Sequence, residues 1–245
     1  MTTAAWYILP SQRPWAKWFN MLHWPYTIWH LSYAVIGAAL AAELDWAILG
    51  WTVLAFFLGM GVAAHALDLV QGDPLKQGLN PIALGLVAAA ALFLAALIGA
   101  LQVYWGNISI LLLIAILLGV LLSAGYNLEW PGFHGDWQFA AWWAVFPLLV
   151  GYFAQGIDFT VTLIPVVFGA FLTAAVQRVL STRVRFFRRR TDDPYLAEGF
   201  GGVAQVPGTD LGAGKEWFIA ADEKALAWLS AAMVVVAVTS LLTAT

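Results

Sequence analysis

Seven long apolar stretches constrain this chain more than any other feature of its sequence. They lie at roughly residues 26–43, 46–67, 82–101, 108–126, 138–156, 159–180 and 224–243. A helix needs about 20 apolar residues to cross a bilayer, and these stretches approach or reach that length. They also lack the alternation of apolar and polar residues that marks a membrane β-barrel. The pattern therefore predicts an all-α fold, a polytopic integral membrane helical bundle with about seven transmembrane helices.

The composition excludes a soluble globular domain. Of the 245 residues, 62% are hydrophobic and 10% are charged, whereas about 25% are charged in a typical soluble protein. The chain has no cysteine, which rules out a disulfide framework, Cys-ligated metal centres and thiol catalysis. A net charge of −3 carries no signature of nucleic-acid binding. The lipid bilayer is therefore an expected partner, and nucleic acid is not.

The chain divides into three parts by hydropathy and by the placement of glycine and proline. Residues 1–190 hold the predicted helical bundle, and residues 223–245 hold a final transmembrane helix. The segment 191–222 contains Pro194, Pro207 and several glycines, with little periodicity. Such a composition predicts a flexible loop between the bundle and the last span.

The distribution of charge predicts the orientation in the membrane. If the N-terminus lies inside the cell and the chain crosses seven times, all 11 Lys and Arg fall on the inner side. The charged residues of the outer loops are then only Glu43, Asp45 and Asp158. Because positively charged loops stay on the cytoplasmic side, this distribution predicts the orientation. We expect an integral protein of the plasma (inner) membrane. Its N-terminus and the 191–222 loop would be cytoplasmic and its C-terminus outside.

Polar side chains concentrate at the predicted inner ends of the spans. His65 and Asp68 are three residues apart at the end of the second span and share one helix face. Asp73 follows Gly72, where the helix is expected to end, and precedes Pro74. Two carboxylates at a helix end can hold Mg²⁺ together with phosphate oxygens and water. Ordinary solvated acids at a helix terminus are the alternative interpretation.

A second polar cluster follows the fourth span. It contains Tyr126, Asn127, Glu129, His134 and Asp136. This cluster would form either a second wall of the same cavity or a plain interfacial loop. Ionisable groups near membrane depth usually face a bundle interior or a water-filled cavity.

The remaining histidines and arginines allow two interpretations each. His23 and His30 are seven residues apart and lie on one predicted helix face. They are either hydrogen-bonded interface residues or, together with His65, a transition-metal site. The arginines between Arg183 and Arg190 would anchor the sixth span on anionic lipid head groups. Alternatively, the first of these arginines would bind a phosphate group directly.

Three runs along the chain stand in an order known from one family of membrane enzymes. They are His23-Trp-Pro-Tyr-Thr-Ile-Trp-His30, the segment from Gly61 to Leu75 that contains Asp68 and Asp73, and Tyr126-Asn127. Over roughly residues 20–180 this order resembles the UbiA superfamily of intramembrane prenyltransferases. The first run is similar to that family's opening span. The second occupies the place of its first Asp-rich motif.

The resemblance implies an activity and a set of site residues. In the family, Mg²⁺ held by Asp-rich motifs binds the diphosphate of an isoprenyl donor, and the prenyl group passes to an acceptor. By this likeness Asp68 and Asp73 are the expected metal ligands and catalytic residues. The expected substrate-binding residues are His65, Lys76, Tyr126, Asn127 and Arg178.

One departure from the family pattern leaves a second function open. Gln177 and Arg178 stand at the end of the sixth span, where the family carries a second Asp-rich motif. The alternative is a non-catalytic membrane subunit of a larger complex that binds an isoprenoid, a quinone or a pigment. A transporter is a third possibility, although the chain shows neither paired broken helices nor an inverted repeat.

Overall fold

The structure, a computed structural model, describes residues 5–10, 13–73, 77–189 and 211–244. Within these ranges every regular element is a helix, and there is no β-strand. In chain order the helices are α1 (Pro14–Met21), α2 (Trp24–Ala39), α3 (Trp46–Gln71), α4 (Pro81–Tyr104), α5 (Leu112–Asn127), α6 (Asp136–Gln155), α7 (Leu163–Arg189) and α8 (Leu211–Thr243).

Five of these helices are long and apolar enough to cross a membrane. They are α3, α4, α6, most of α7 and the part of α8 from Ile219 onward. The predicted first and fourth spans correspond to α2 and α5, which have 16 residues each. The prediction of an all-helical membrane protein is confirmed, with five helices of spanning length.

The outward faces of the helices are apolar. On α4, Ile82, Leu86 and Phe93 are between 65% and 75% exposed, and on α5 Leu117 is 72% exposed. Apolar surface of this extent costs about 25 cal/mol per Å² in water, whereas lipid tails solvate it without penalty. The exposed side chains therefore mark the lipid-facing surface.

Local sequence explains where the spanning helices begin. The Asp45 carboxylate accepts hydrogen bonds from the backbone N–H groups of Ala47 (2.7 Å) and Ile48 (3.0 Å) and so caps α3. Asn80 caps α4 in the same way, and Pro81 follows at the first helical position, where its missing N–H has no consequence.

The last two helices extend beyond the predicted boundaries. α7 continues to Arg189 rather than ending near residue 180, and α8 begins at Leu211 although the sequence predicted a loop as far as 222. An ion pair joins α7 to α8. The Asp222 carboxylate lies 3.2 Å from the Arg183 guanidinium. This pairing lets α8 carry a buried acid in its polar part. Residues 191–210 of the predicted loop, with both of its prolines, lie outside the described residues.

The core of the bundle forms where α2 packs between α6 and α8. Trp29 and Tyr33 of α2 are fully buried against Leu148 of α6. The Trp29 indole donates to the Tyr33 hydroxyl at 2.8 Å, and that hydroxyl lies 2.9 Å from the Thr173 hydroxyl of α7. These three polar groups of the core are thus hydrogen-bonded to one another, as a membrane interior requires.

Two of the spanning helices change their winding midway. Residues Phe57–Ala64 of α3 and Ala141–Val145 of α6 are wound as π-helix. In each segment a backbone carbonyl accepts from another helix: Gly59 from the Ser123 hydroxyl (3.1 Å) and Trp143 from His30 (2.9 Å). Short π-helical segments inside α-helices are frequent at functional sites. Both lie beside the site described next.

Candidate functional site

An apolar cavity lies between α3, α4, α5 and α6. The empty space between these helices amounts to about 940 Å³, a figure that also counts space open to the surroundings. Each helix contributes large apolar side chains to its walls, among them Trp51, Leu92, Ile116 and Phe146. Ligand sites are typically concave and apolar, with a few polar groups placed at fixed points. This cavity has that character.

The cavity runs along the helices towards the end of the bundle where the polar residues gather. At one extreme it is lined by Gln102 of α4, and at the other by Met60, Ser123 and Trp143. Met60 and Trp143 pack directly against the buried ring of Tyr126. A chain-like apolar molecule in the cavity would therefore have one end near the polar cluster.

Two stacked histidines form the first part of this polar cluster. The rings of His23 and His65 lie 5.0 Å apart between centroids and within 9° of parallel. His65 Nδ1 contacts the Gly61 carbonyl at 2.9 Å, and His23 Nδ1 contacts the Tyr7 hydroxyl at 3.1 Å. Burial lowers the pKa of His23 to about 3, assisted by His65 and by the positive charge of Arg185. This imidazole is therefore uncharged at neutral pH.

An ion pair closes the neighbouring part of the cluster. Arg178 Nε lies 2.9 Å from the Asp136 carboxylate, and its guanidinium lies 5.4 Å above the Phe139 ring. The His134 ring stacks on the Tyr126 ring with 4.6 Å between centroids, and its Nε2 accepts from the Arg178 guanidinium at 3.5 Å. The start of α6 is thereby tied to α7 across the end of α5.

His30 connects three helices beneath these residues. Its Nδ1 lies 2.9 Å from the carbonyl of Trp143 in α6, and its Nε2 lies 3.5 Å from the amide nitrogen of Gln177 in α7. Because a carbonyl only accepts, Nδ1 carries the proton and Nε2 of the neutral ring accepts from Gln177. Gln177 and His30 are both buried.

Several polar atoms in this cluster are buried without a partner. They are the Tyr126 hydroxyl, the indole nitrogens of Trp142 and Trp143, and the side-chain oxygen of Gln177, none of which has a hydrogen-bond partner within the described part of the chain. Buried polar groups in folded proteins are nearly always paired, so each unpaired one calls for an explanation. Four such atoms occur here in neighbouring side chains.

Four of the residues predicted from the sequence lie near one another. His65 and Asp68 interact electrostatically, as their spacing of three residues allows. Asp68 and Arg178 both lie within electrostatic reach of Tyr126. Asp68 is exposed, whereas Tyr126 is buried. The structure therefore places these side chains at one end of the bundle, with Asp68 at its surface.

The other predicted residues make local contacts. Asp73 accepts a hydrogen bond from the Gly78 backbone at 2.6 Å through one carboxylate oxygen. Asn127 donates to the Ser123 carbonyl of its own helix at 2.7 Å. Lys76 lies outside the described residues.

The question of a metal ion rests on Asp68 and Asp73. The second carboxylate oxygen of Asp73 is buried and has no partner among the residues that the structure describes, which suits a cation ligand. No group of three or more His, Asp or Glu side chains in the described ranges is arranged to hold a metal ion. Mg²⁺ typically needs only one or two protein carboxylates, so a Mg²⁺ site here stays a prediction.

Trp143 is a site residue that the sequence analysis did not identify. In an apolar run a tryptophan is normally interpreted as an interface anchor. Trp142 and Trp143 stand instead within α6, in its π-helical segment, and both line the cavity. A pair of tryptophans away from the helix ends was the available signal. The pairing of Gln177 with His30 joins residues 147 positions apart and left no local signal.

The likeness to the UbiA superfamily stays a prediction. Comparison of the chain with known proteins finds no matching family model, no similar curated sequence and no similar solved structure.

Proposed function

We propose that this protein binds an isoprenoid or polyprenyl lipid within the membrane and acts on it. The observation that supports this proposal is the apolar cavity between α3 and α6, which leads to a cluster of buried polar side chains. An isoprenoid chain is apolar along its length and polar at one end. Its chain would occupy the cavity, and its head would reach the cluster around Tyr126.

In this proposal the protein crosses the membrane seven times, with α2 and α5 as its two short spans. Sixteen residues of helix measure about 24 Å, against a hydrocarbon core of roughly 30 Å. Local thinning of the bilayer accommodates such a difference at modest cost. The N-terminus would then be cytoplasmic and the C-terminus outside, in agreement with the positive-inside rule. This orientation places the polar cluster on the cytoplasmic side.

The activity that we propose is a Mg²⁺-dependent prenyl transfer. Asp68 and Asp73 would hold the Mg²⁺, which supplies the positive charge that a leaving diphosphate requires. Arg178 would steady the phosphate oxygens, with its guanidinium oriented by Asp136 and Phe139. Lys76 would add a second positive charge.

A second candidate is a non-catalytic subunit that binds an isoprenoid, a quinone or a pigment for a larger membrane complex. Two contacts favour it. The charge of Arg178 is already balanced by Asp136 at 2.9 Å, and one oxygen of Asp73 already accepts from the Gly78 backbone. Both candidates share the lipid-binding cavity.

Mass spectrometry of lipids that co-purify with the full-length protein tests the shared proposal. The protein is extracted with and without Mg²⁺, and the bound lipids are identified. An isoprenoid enriched over the bulk membrane lipids is the expected result. Ordinary phospholipids alone would contradict the proposal.

Two substitutions separate the candidates. Asp68→Asn and Asp73→Asn each remove a charge and a ligand that water does not replace, so Mg²⁺-dependent binding of an isoprenyl diphosphate is expected to be lost. The matched control is Asp158→Asn, an exposed acid at the opposite end of the bundle. If both site variants retain full diphosphate binding, the transfer proposal fails and the non-catalytic candidate leads.

A further inference from the structure

Three polar atoms beside the cavity have no hydrogen-bond partner within the described part of the chain, and they differ in their hydrogen-bonding capacity. The Trp143 indole nitrogen can only donate, and the Tyr126 hydroxyl can donate or accept. The third atom is the side-chain oxygen of Gln177, which can only accept. Their side chains are only 7%, 6% and 2% exposed, respectively, so bulk water does not reach them.

The neighbouring His30 determines which atom of the Gln177 amide is left over. His30 donates from Nδ1 to the Trp143 carbonyl, so its Nε2 is an acceptor that faces the Gln177 amide nitrogen. A reversed amide would set the Gln177 oxygen against this lone pair. The nitrogen of Gln177 therefore faces His30, and its oxygen is the acceptor that has no partner among the residues described.

The three side chains belong to one contiguous cluster. The Tyr126 and Trp143 rings are 5.4 Å apart in an edge-to-face arrangement, and the His30 and Trp143 rings are 5.9 Å apart. Gln177 contacts His30, while Trp143 also lines the apolar cavity. A lipid in the cavity would thus bring its head to Trp143 first and to its neighbours beyond.

We infer that this cluster binds an uncharged lipid head group that both donates and accepts a hydrogen bond, with a hydroxyl as its simplest form. A ligand hydroxyl donates a hydrogen bond to the Gln177 oxygen and accepts one from the Trp143 indole. The Tyr126 hydroxyl can pair with either the hydrogen or the oxygen of that ligand group. An ionised diphosphate has no hydrogen to donate, and the Gln177 oxygen repels it. A hydrocarbon end satisfies none of the three atoms. The inference rests on the lipid-binding part of the proposed function, because it takes the cavity to hold an isoprenoid chain. A neutral head group at this cluster favours the non-catalytic candidate over prenyl transfer from a diphosphate.

The local charges agree with a neutral head. The nearest guanidinium, that of Arg178, is paired with Asp136 at 2.9 Å, and His134 adjoins the same guanidinium. A second ionised group carried to this depth would have to be desolvated. A neutral hydroxyl carries no such penalty.

Two probes with the same chain and different heads test the inference. They are tritiated geranylgeraniol and tritiated geranylgeranyl diphosphate, offered to the purified full-length protein in detergent with and without Mg²⁺. We expect the alcohol to bind at least about tenfold more tightly than the diphosphate, because only the alcohol pairs all three atoms.

Substitution of Tyr126 by Phe removes one of the three atoms and little else. Affinity for the alcohol is expected to fall about tenfold, the cost of one lost hydrogen bond in a buried site. The melting temperature without ligand should stay the same or rise, since this hydroxyl has no partner within the described residues. The matched control is Tyr152→Phe, a buried tyrosine in the core beside α2, for which unchanged affinity is expected.

A second variant guards against an accident at one position. Gln177→Met keeps the length of the side chain and removes the acceptor, so affinity for the alcohol should fall about tenfold as well. Its control for folding is Gln155→Met, which removes a hydrogen-bonded amide at the opposite end of the bundle.

The outcomes separate this inference from the proposed function. Tighter binding of the diphosphate than of the alcohol, or an alcohol affinity that Tyr126→Phe and Gln177→Met leave unchanged, overturns the inference and leaves the lipid-binding proposal standing. Failure of both probes to bind overturns the proposed function and the inference with it.

Discussion

His23 adopts a left-handed backbone conformation, with φ of 44° and ψ of 49°, immediately before α2. For a residue with a Cβ atom this conformation costs roughly 1–2 kcal/mol. Surrounding contacts hold it in place, namely the stacked ring of His65 and the hydroxyl of Tyr7. Strained residues of this kind cluster at functional sites, where the rest of the structure supports them. His23 therefore belongs to the positioned part of the site.

Acid should destabilise the fold through His23. Its pKa is lowered to about 3 in the folded protein from 6.5 in the unfolded chain, so between these values the unfolded chain binds a proton that the folded protein excludes. Stability is then fully present above about pH 6.5 and is lost as the pH falls. In His23→Gln, the melting temperature in detergent should fall less than in the wild type between about pH 7 and about pH 5.

Melts above the ordinary imidazole pKa serve as the internal control for this experiment, because His23 is uncharged there in both states. Equal slopes for His23→Gln and the wild type below that value would show that His23 is not excluded from protonation.

At the scale of elements, the contact between α2 and α6 depends on two glycines. A Cβ added at Gly37 would overlap the backbone carbonyl of Leu148, and one added at Gly151 would overlap that of Ala34. Each helix therefore presents a glycine to the backbone of the other. Small residues at helix interfaces allow such close packing in membranes, where no hydrophobic effect drives helices together.

Replacement of either glycine by alanine should separate the two helices. Gly37→Ala and Gly151→Ala are each expected to cost roughly 1–3 kcal/mol of stability, because the clash is with backbone that cannot move aside. Thermal melting in detergent measures the loss. The matched control is Gly85→Ala in α4, where an added Cβ meets nothing within 4 Å. That change should be neutral or stabilising by up to about 1 kcal/mol. Equal effects at all three sites would contradict the packing argument.

Across the whole molecule, the two ends of the bundle differ in chemistry. One end holds the histidines, the Arg178–Asp136 pair and the Arg183–Asp222 pair. The opposite end is tied by a simpler contact, in which the Asp45 backbone donates to the side chain of Gln155 at 2.8 Å. Positive charge confined to one side of a membrane protein predicts its orientation.

Cysteine labelling of this cysteine-free chain tests that orientation. Thr182→Cys at the polar end should react with a membrane-impermeant maleimide only after the membrane is opened. Asp158→Cys at the other end should react in intact cells. Both side chains are exposed at the protein surface. Reaction of Thr182→Cys after the membrane is opened shows that this position is accessible, so its lack of reaction in intact cells then reflects sidedness. Labelling of Thr182→Cys from outside would reverse the proposed topology.

Local residue properties account for much of the fold. Apolar runs of about 20 residues predict membrane helices, because the free energy of transfer from water into lipid adds up residue by residue along one segment. Asp45 and Asn80 mark helix starts through bonds to residues two and three positions away. His65 and Asp68 share a face through helical spacing alone. The membrane class, the helical fold and this pair could be predicted without knowledge of the packing.

The packing of distant segments supplied the rest. α8 begins before the predicted boundary in a segment that includes Asp222, which finds Arg183 of α7 as its partner. Polar atoms of Tyr126, Trp143 and Gln177 have no hydrogen-bond partner in the described ranges, and this depends on what α2, α5, α6 and α7 place around them. Whether a buried polar atom is satisfied is a property of its surroundings in space, which spacing along one helix does not encode. The three residues from which the head group of the proposed ligand is inferred therefore depend on the packing of four helices and could not be identified from the sequence.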